Sequence, residues 1–153
     1  MDTIDKKILA LLQEDATLTV NELAGRVGLS PNPCWRRVQR LEADGVIRKR
    51  VTLLNAAALN AGVTVFVAIK TSQHSAAWFK SFSKNVNAIP EVMEFYRMSG
   101  EVDYLLRVVV PDIAAYDAVY KQLIRTPGLS DVSSSFAMEQ IKYTTALPLQ
   151  FIE

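Results

Sequence analysis

The chain is poor in the residues that bind metal ions and form disulfides. Its 153 residues include one cysteine, Cys34, and one histidine, His74. A lone cysteine cannot close an intrachain disulfide, and one cysteine with one histidine does not make a metal-ligand cluster. We therefore expect no metal and no tightly held cofactor.

Long apolar runs are also missing. The first residues, MDTIDKK, lack a basic flank followed by an apolar stretch, and no later run approaches the length that spans a bilayer. A hydrophobic content of 50% with 22% charged residues is typical of a soluble folded chain, not of a disordered one. We expect a cytoplasmic protein with neither export nor membrane insertion.

Catalytic patterns are not recognisable. The sequence shows no paired carboxylates, no nucleophile with a neighbouring base and no phosphate-binding glycine loop, so we do not expect an enzyme. His74 lies in a polar turn, TSQHS, and is interpreted as a surface residue without a role. Cys34 is interpreted as a small core residue, since it falls on the apolar side of a predicted helix.

Residues 19–47 contain a compact structural motif, with cap and turn residues at fixed spacing. Thr19 and Glu22 have capping-box spacing at the start of a helix that Gly28 ends. Ser30 and Pro31 then occupy the N-cap and first positions of a second helix, which Gly45 closes. Two short helices joined by a tight turn predict a helix-turn-helix that docks on DNA.

The second of these helices has one apolar and one donor-rich side. Cys34, Val38 and Leu41 recur at helical spacing and predict the buried side. The arginine guanidinium can form two hydrogen bonds with a guanine edge or with phosphate, and the amides of asparagine and glutamine can do so with an adenine edge. The alternative is a solvated amphipathic helix that happens to be basic. The residues predicted to contact DNA are Ser30, Asn32, Pro33, Trp35, Arg36, Arg37, Gln39, Arg40 and Arg48.

Positive charge is concentrated around this helix although the whole chain carries only +1. Residues 30–50 hold six arginines or lysines against two acids, a local balance of +4. Arg48, Lys49 and Arg50 follow Val46-Ile47, which we interpret as a strand. Two functions stay open for these three residues: a wing or linker near phosphate, or a solvated edge that discourages aggregation.

The second half of the chain repeats one order of elements. Strands are predicted over 63–71, 91–99, 103–110 and about 131–141, with helices over 75–86 and from Pro111-Asp112 onward. The order βαββαβ predicts a ferredoxin-like sandwich with both helices on one sheet face. The strands are apolar on both faces, so another domain or subunit must cover the second face, and we expect a homodimer.

Several motifs resemble those of the Lrp/AsnC family of transcription regulators. They are DKKILALLQED at 5–15, NELA at 21–24, GLSPNPC at 28–34, RVQRLEADGVI at 37–47, MEFYRMSGEVDY at 93–104 and SSFAMEQIKYTTALP at 134–148. The resemblance covers nearly the whole chain. It implies a DNA-binding N-terminal half, a C-terminal domain that binds effectors and oligomerises, and assembly of dimers into tetramers or octamers.

The loop from Ser99 to Tyr104 has two interpretations. It is a hairpin turn in which Gly100 supplies a positive φ and Asp103 bonds local backbone, or it binds an amino acid through backbone N–H groups and a carboxylate. The family resemblance implies the second, at a junction between dimers, although Val102 stands where that family often has an aromatic residue. The implied effector residues are Ser99, Gly100, Glu101, Val102, Asp103, Tyr104, Ser133, Ser134 and Ser135.

The predicted architecture is α+β: an N-terminal winged helix-turn-helix domain at 1–50, a linker or hinge strand at 51–62, and a ferredoxin-like (RAM-type) domain with a C-terminal tail at 63–153. The predicted function is sequence-specific regulation of amino-acid metabolism genes by a DNA-binding protein that responds to a small amino-acid effector. The alternative is a nucleoid-architectural protein that bends or wraps DNA without effector control.

Overall fold

Three helices form the N-terminal part of the computed structural model, which describes residues 1–152. They are α1 Thr3–Glu14, α2 Val20–Val27 and α3 Pro31–Ala43. The predicted capping box is confirmed: the Glu22 N–H donates to the Thr19 hydroxyl, and the Thr19 N–H donates to the Glu22 carboxylate at 2.8 Å. Ser30 holds the N-cap position of α3, but within the described chain its side chain makes no cap hydrogen bond.

The turn and the core of this helical part follow the predicted pattern. Gly28 and Gly45 adopt positive φ of 73° and 72°, a conformation that suits glycine after a helix. The predicted inner side of α3 is buried beside the apolar sides of α1 and α2. The core residues are Ile8, Leu9, Leu23, Ala24, Val27, Cys34, Val38 and Leu41.

The strand predicted directly after α3 is wrong, and of the two alternatives for residues 51–62, a linker or a hinge strand, the backbone fits the linker. Residues 46–50, interpreted as a strand, form a bend followed by irregular backbone, and residues 51–62 contain only a short 3-10 helix at Ala57–Leu59. A strand needs a neighbour to bond its N–H and C=O groups, and no described strand pairs with either segment. Val51, Leu53 and Leu54 of this linker are exposed.

The predicted βαββαβ domain is confirmed. It consists of β1 Val63–Thr71, α4 Ala76–Asn87, β2 Val92–Arg97, β3 Tyr104–Val110, α5 Ile113–Leu123 and β4 Leu129–Phe136. The strands form one antiparallel sheet in the order β2-β3-β1-β4. β4 ends before the predicted Ile141, because its ladder with β1 stops at the Val65–Phe136 pair.

Alternation along the strands divides the sheet into a covered and an open face. On β3, Tyr104, Leu106, Val108 and Val110 are buried, while the residues between them are half-buried. Both helices pack on the covered face, where Phe82 of α4 and Val119 of α5 join the same core. Phe66 of β1 lies on the open face and is exposed.

The chain beyond the sheet does not group with it. Residues 141–152 belong to the same compact unit as Met1–Leu53, whereas Leu54–Gln140 forms the other unit. This differs from the predicted assignment of the whole segment 63–153 to one domain. Among the described residues no helix combines the length and the apolar character that a bilayer span requires.

Candidate functional site

The outward side of α3 offers polar side chains to solvent. Asn32, Arg36, Gln39 and Trp35 are all exposed. Ser30 and Pro33, at the start of the helix, are exposed as well. An exposed helix of this kind can enter a major groove, where side-chain donors meet base edges and phosphates.

Two of the predicted DNA-contacting arginines are held by acids of the N-terminal turn. Arg37 donates through one nitrogen to Asp2 at 2.6 Å and to Asp5 at 2.9 Å, and Arg40 donates to the other Asp5 oxygen at 2.6 Å. Asp5 is only 2% exposed, so α3 is tied to α1 through a buried carboxylate. Hydrogen bonds from Arg37 to Asp2 and Asp5 raise the pKa of Arg37.

The pKa of Asp2 shifts downward, as expected for an acid that is paired with an arginine. The backbone N–H of Asp5 and then the Arg37 guanidinium lower the pKa of Asp2. Both Asp2 and Arg37 are therefore charged at neutral pH. Arg36 differs from Arg37 and Arg40, since no ion pair within the described chain includes it. The helical projection places Arg37 on the flank of α3, but it did not distinguish Arg36 from Arg40 on the outward face.

Further polar groups lie near the end of α3. Gln39 donates to Glu42 at 3.0 Å, and Glu42 also pairs with Arg50 at 2.7 Å. Arg48 is exposed in the irregular segment that follows the helix. The basic stretch 48–50 therefore follows the exposed helix without forming a strand.

In the second unit the six-residue loop between β2 and β3 is closed by a hydrogen bond from the Met98 N–H to the Asp103 carbonyl at 2.8 Å. Gly100 adopts φ of +112°, and a Cβ there would meet no atom within 4 Å, so strain alone opposes a side chain. The Asp103 carboxylate accepts from the Thr71 N–H at 2.8 Å. Glu101 pairs with Lys70 at 2.9 Å, and this hydrogen bond lowers the pKa of Glu101 and raises that of Lys70.

A cavity of about 280 Å³ opens beside this loop. Charged groups of both signs line it, because Asp103 and Arg97 lie at the adjoining ends of β3 and β2. Phe79, Met98 and Tyr104 add apolar wall. The lining is completed by His74, Ser75 and Ala76, which lead into α4.

Only part of the predicted effector set lines this cavity. From the loop, Asp103 and Tyr104 contribute, whereas residues 99–102 lie outside the lining. Ser133 and Ser135 are exposed on the open face beside Ala68 and Phe66. Ser134 points to the helix side and hydrogen-bonds with Tyr116.

The sheet order explains why the serines and the loop are apart. β1 lies between β4, which carries the serines, and β3, which begins at the loop. One chain therefore does not bring the three serines and the cavity together.

None of the six remaining lining residues was predicted from the sequence as part of the site. His74 was interpreted as a surface residue without a role, and Arg97 only as part of a strand. Their positions in the chain are the signal that could have identified them: His74 precedes the N-cap of α4, and Arg97 ends the strand before the loop. Within residues 1–152 no group of His, Cys, Asp and Glu has the arrangement of a metal site.

Comparison with protein families matches both parts of the chain. A model described as winged helix-turn-helix DNA-binding matches residues 1–48, and one described as the Lrp/AsnC ligand binding domain matches residues 64–147. The second match alone covers more than half of the chain.

Relatives match over nearly their whole length. The DNA-binding transcriptional activator DecR of Escherichia coli is 53% identical over 98% of this chain and 99% of its own. The glutamate uptake regulatory protein of Zymomonas mobilis is 52% identical, over 97% of this chain and 91% of its own.

Solved structures agree with these matches. An AsnC family transcriptional regulator from Agrobacterium tumefaciens is 63% identical over 100% of both chains, with a TM-score of 0.96. A Neisseria meningitidis transcriptional regulator in complex with L-Met is 38% identical, over 98% of this chain and 97% of its own, with a TM-score of 0.93. The chain therefore belongs to the Lrp/AsnC family, and it is a DNA-binding transcriptional regulator of that type.

Proposed function

We propose that this regulator is a cytoplasmic, sequence-specific DNA-binding protein that controls genes of amino-acid metabolism in response to a small amino-acid effector. Effector binding changes either its assembly or its affinity for DNA. In this proposal the exposed side of α3 reads the DNA, and the loop of residues 99–104 with its cavity binds the effector. The protein has no catalytic role.

The cavity beside Asp103 is the observation that carries the effector proposal. A free amino acid presents an ammonium and a carboxylate on one carbon, so its site needs groups of both signs close together. Asp103 and Arg97 provide such a pair in a space at the small end of ligand pockets. The bond from Thr71 uses part of the acceptor capacity of Asp103 and holds its carboxylate in place.

The matched ligand-binding family model and the L-Met complex of the Neisseria regulator support an amino acid as the class of effector. Part of the cavity wall is apolar and suits an amino-acid effector whose side chain has an apolar portion. This part is formed by Phe79, Met98 and Tyr104. In this proposal Ser133 and Ser135 take part in effector binding only where another subunit brings its β4 to the cavity, because within one chain they lie apart from it.

The open face of the sheet supports the proposed assembly. Phe66 and Tyr96 are exposed there, and Leu105 and Val109 are half-buried. The same face also carries the Arg107–Glu94 ion pair, so it is mixed in character. In the proposal a second copy covers this face in a homodimer, which also supplies the two-fold symmetry that paired DNA half-sites require. Dimers then assemble further into tetramers or octamers.

A thermal-shift screen of the purified protein against the twenty amino acids tests the proposal, because a ligand of the folded state raises its apparent stability. The decisive variant is Asp103→Asn, which keeps an acceptor for the Thr71 N–H while removing the charge. It is expected to retain DNA binding and to lose the shift. Asp117→Asn is the matched control, since the Asp117 side chain on α5 is 55% exposed and lies outside both the loop 99–104 and the cavity lining.

Two results would contradict this proposal. If no amino acid shifts the wild type and DNA bending is insensitive to all twenty, an architectural role explains the protein better. If the wild type responds and Asp103→Asn responds equally, the effector binds elsewhere.

A further inference from the structure

The C-terminal segment 147–152 contacts α1 through hydrogen bonds at both ends. The Gln13 side chain donates from Nε2 to the Leu147 carbonyl at 3.1 Å and accepts the Leu147 N–H on Oε1 at 2.6 Å. One side chain thereby pairs both backbone groups of a single residue, as a neighbouring strand would. At the other end, Lys6 Nζ donates to the Ile152 carbonyl at 2.6 Å.

The two side chains of α1 that hold the segment, Lys6 and Gln13, are spaced so that both can reach it. Lys6 and Gln13 are seven residues apart, so they lie on the same side of α1, about two turns from each other. Between the anchors the chain turns once, with the Ile152 N–H donating to the Leu149 carbonyl at 3.3 Å. The segment therefore follows the axis of α1 and is held at both ends.

Side-chain burial in the segment is selective. Leu149 and Ile152 are half-buried and pack against the core formed by α1, α2 and α3. Leu147 and Phe151, two positions to either side of Leu149, are 73% and 77% exposed. A nonspecific apolar association would bury the phenylalanine first, since it has the most area to remove from water.

The stretch that leads to the segment lacks such packing. Met138, Ile141 and Tyr143 are all largely exposed. The hydrogen bonds that join the segment to α1 start at Leu147, which both donates to and accepts from the Gln13 side chain. Residues 147–152 therefore form a separate packed element that follows an exposed stretch of chain.

We propose that residues 147–152 are an integral part of the DNA-binding domain, so that this domain is assembled from two stretches at opposite ends of the chain. The segment stabilises α1, and α1 holds Arg37 and Arg40 of α3 through Asp5. A domain with so small an aliphatic core gains a large share of its stability from such an addition. The C-terminal segment therefore sets how well α3 is presented to DNA.

The test compares two substitutions in the full-length protein. Leu149→Ala removes a packed side chain, whereas Phe151→Ala removes a larger but exposed one two residues away. The DNA probe is a duplex selected from random sequence by the wild type. Leu149→Ala is expected to weaken binding to this duplex roughly fivefold or more and to lower the unfolding midpoint, while Phe151→Ala stays within about twofold of the wild type.

Amide hydrogen exchange gives a second measurement if Leu149→Ala fails to fold. The Leu147 N–H is bonded to Gln13 in the wild type, so Gln13→Ala should speed its exchange and that of the Ile152 amide, with α2 still protected. Equal DNA affinity and midpoint for Leu149→Ala and Phe151→Ala would overturn the proposal. An unprotected Leu147 amide in the wild type would overturn it as well.

Discussion

The two compact units of the chain are stabilised in different ways. The buried core of the helical unit is aliphatic apart from Cys34, and among the described residues it contains no buried aromatic side chain. The sheet unit buries Phe82 and Tyr104, whose rings lie 5.1 Å apart, and packs Trp78 and Phe95 against them. Both units contain ion pairs, but the helical unit joins its smaller aliphatic core to capping boxes on α1 and α2, to the buried Asp5 carboxylate and to the docked C-terminal segment.

This difference indicates a division of tasks. A small domain exposes much of its surface, so its core alone leaves it marginal and each polar link counts. The strength of ion pairs changes with salt concentration and pH, and so does the affinity for DNA. The sheet unit depends on packing, which changes little over the same conditions, and is suited to hold a cavity and an interface in a constant shape.

The largest effect should come from the aromatic cluster of the sheet unit. Phe82 is fully buried and stacks with Trp78 at a centroid distance of 4.8 Å. Because Phe82→Ala leaves a cavity in this core, it should lower the unfolding free energy of the sheet unit by about 3–5 kcal/mol. Urea unfolding followed by the fluorescence of Trp78 measures the loss, in a background in which the exposed Trp35 is replaced by phenylalanine.

Phe79→Ala is the matched control for this prediction. Phe79 lies on the same helix, but its side chain is 41% exposed, so truncation removes less packing. The expected loss is about 1–2 kcal/mol. Equal losses for the two variants would contradict a sheet unit that is stabilised mainly by its buried core.

The next effect should come from the buried acid of the helical unit. Asp5→Asn keeps the shape of the side chain but removes the charge that holds Arg37 and Arg40. We expect a loss of about 1–3 kcal/mol in the stability of this unit. The loss stays below that of a fully buried pair because the two arginine side chains are 26% and 52% exposed and can turn to water.

Amide exchange in α1 and α3 measures this loss separately from the sheet unit. Glu14→Gln, an exposed acid at the other end of α1, is the control and should leave exchange in α3 unchanged. A wild-type exchange pattern in Asp5→Asn would show that the ion pairs are incidental to the position of α3.

A third prediction separates the arginines by their contacts with DNA. Arg36 forms no ion pair within the described chain, so Arg36→Ala should weaken specific binding by about 1–3 kcal/mol and relax sequence discrimination. Arg48→Ala should mainly reduce the salt dependence, as expected of a phosphate contact. Titrations on selected and random duplexes at several salt concentrations test both. An equal loss for Arg36→Ala on the two duplexes would rule out base reading.

The same contrast explains what could be predicted from the sequence. Caps, turn glycines and the buried positions of α3 depend on neighbours in sequence, so Thr19, Gly28 and Cys34 were placed correctly. The βαββαβ order follows from strand and helix periods in the same way. The predicted strand at 46–50 was wrong because a strand depends on a partner that local pattern does not reveal. For the same reason the sequence left residues 51–62 open between a linker and a hinge strand.

Contacts between distant residues were not predictable from local pattern. The Asp5 link to Arg37 joins residues 32 positions apart, and the Gln13 link to Leu147 joins residues 134 positions apart. The cavity likewise gathers His74, Arg97 and Asp103 from three separate stretches of chain. Spacing and periodicity carry no information on such pairs.

The smallest effect, a pH dependence, should distinguish the polar caps of the helical unit from the charged loop of the sheet unit. Hydrogen bonds from the Thr19 hydroxyl and N–H lower the pKa of Glu22 below its ordinary value of 4.5. A folded-state pKa below the unfolded value means that the charged form stabilises the fold. This stabilisation is fully present above the unfolded-state pKa and is lost as the pH falls through the folded-state pKa.

Glu22→Gln isolates that contribution, because glutamine can still complete a capping box but carries no charge. Amide exchange in α2 should therefore show a small stability difference between the wild type and Glu22→Gln at neutral pH that disappears as the solution is acidified through the pKa of Glu22. Glu101→Gln provides the comparison, since Lys70 lowers the pKa of Glu101 by a hydrogen bond in the other unit. Its pH-dependent difference should be confined to β1 and β3, and a Glu22→Gln difference that persists in acid would show that the cap acts through its shape alone.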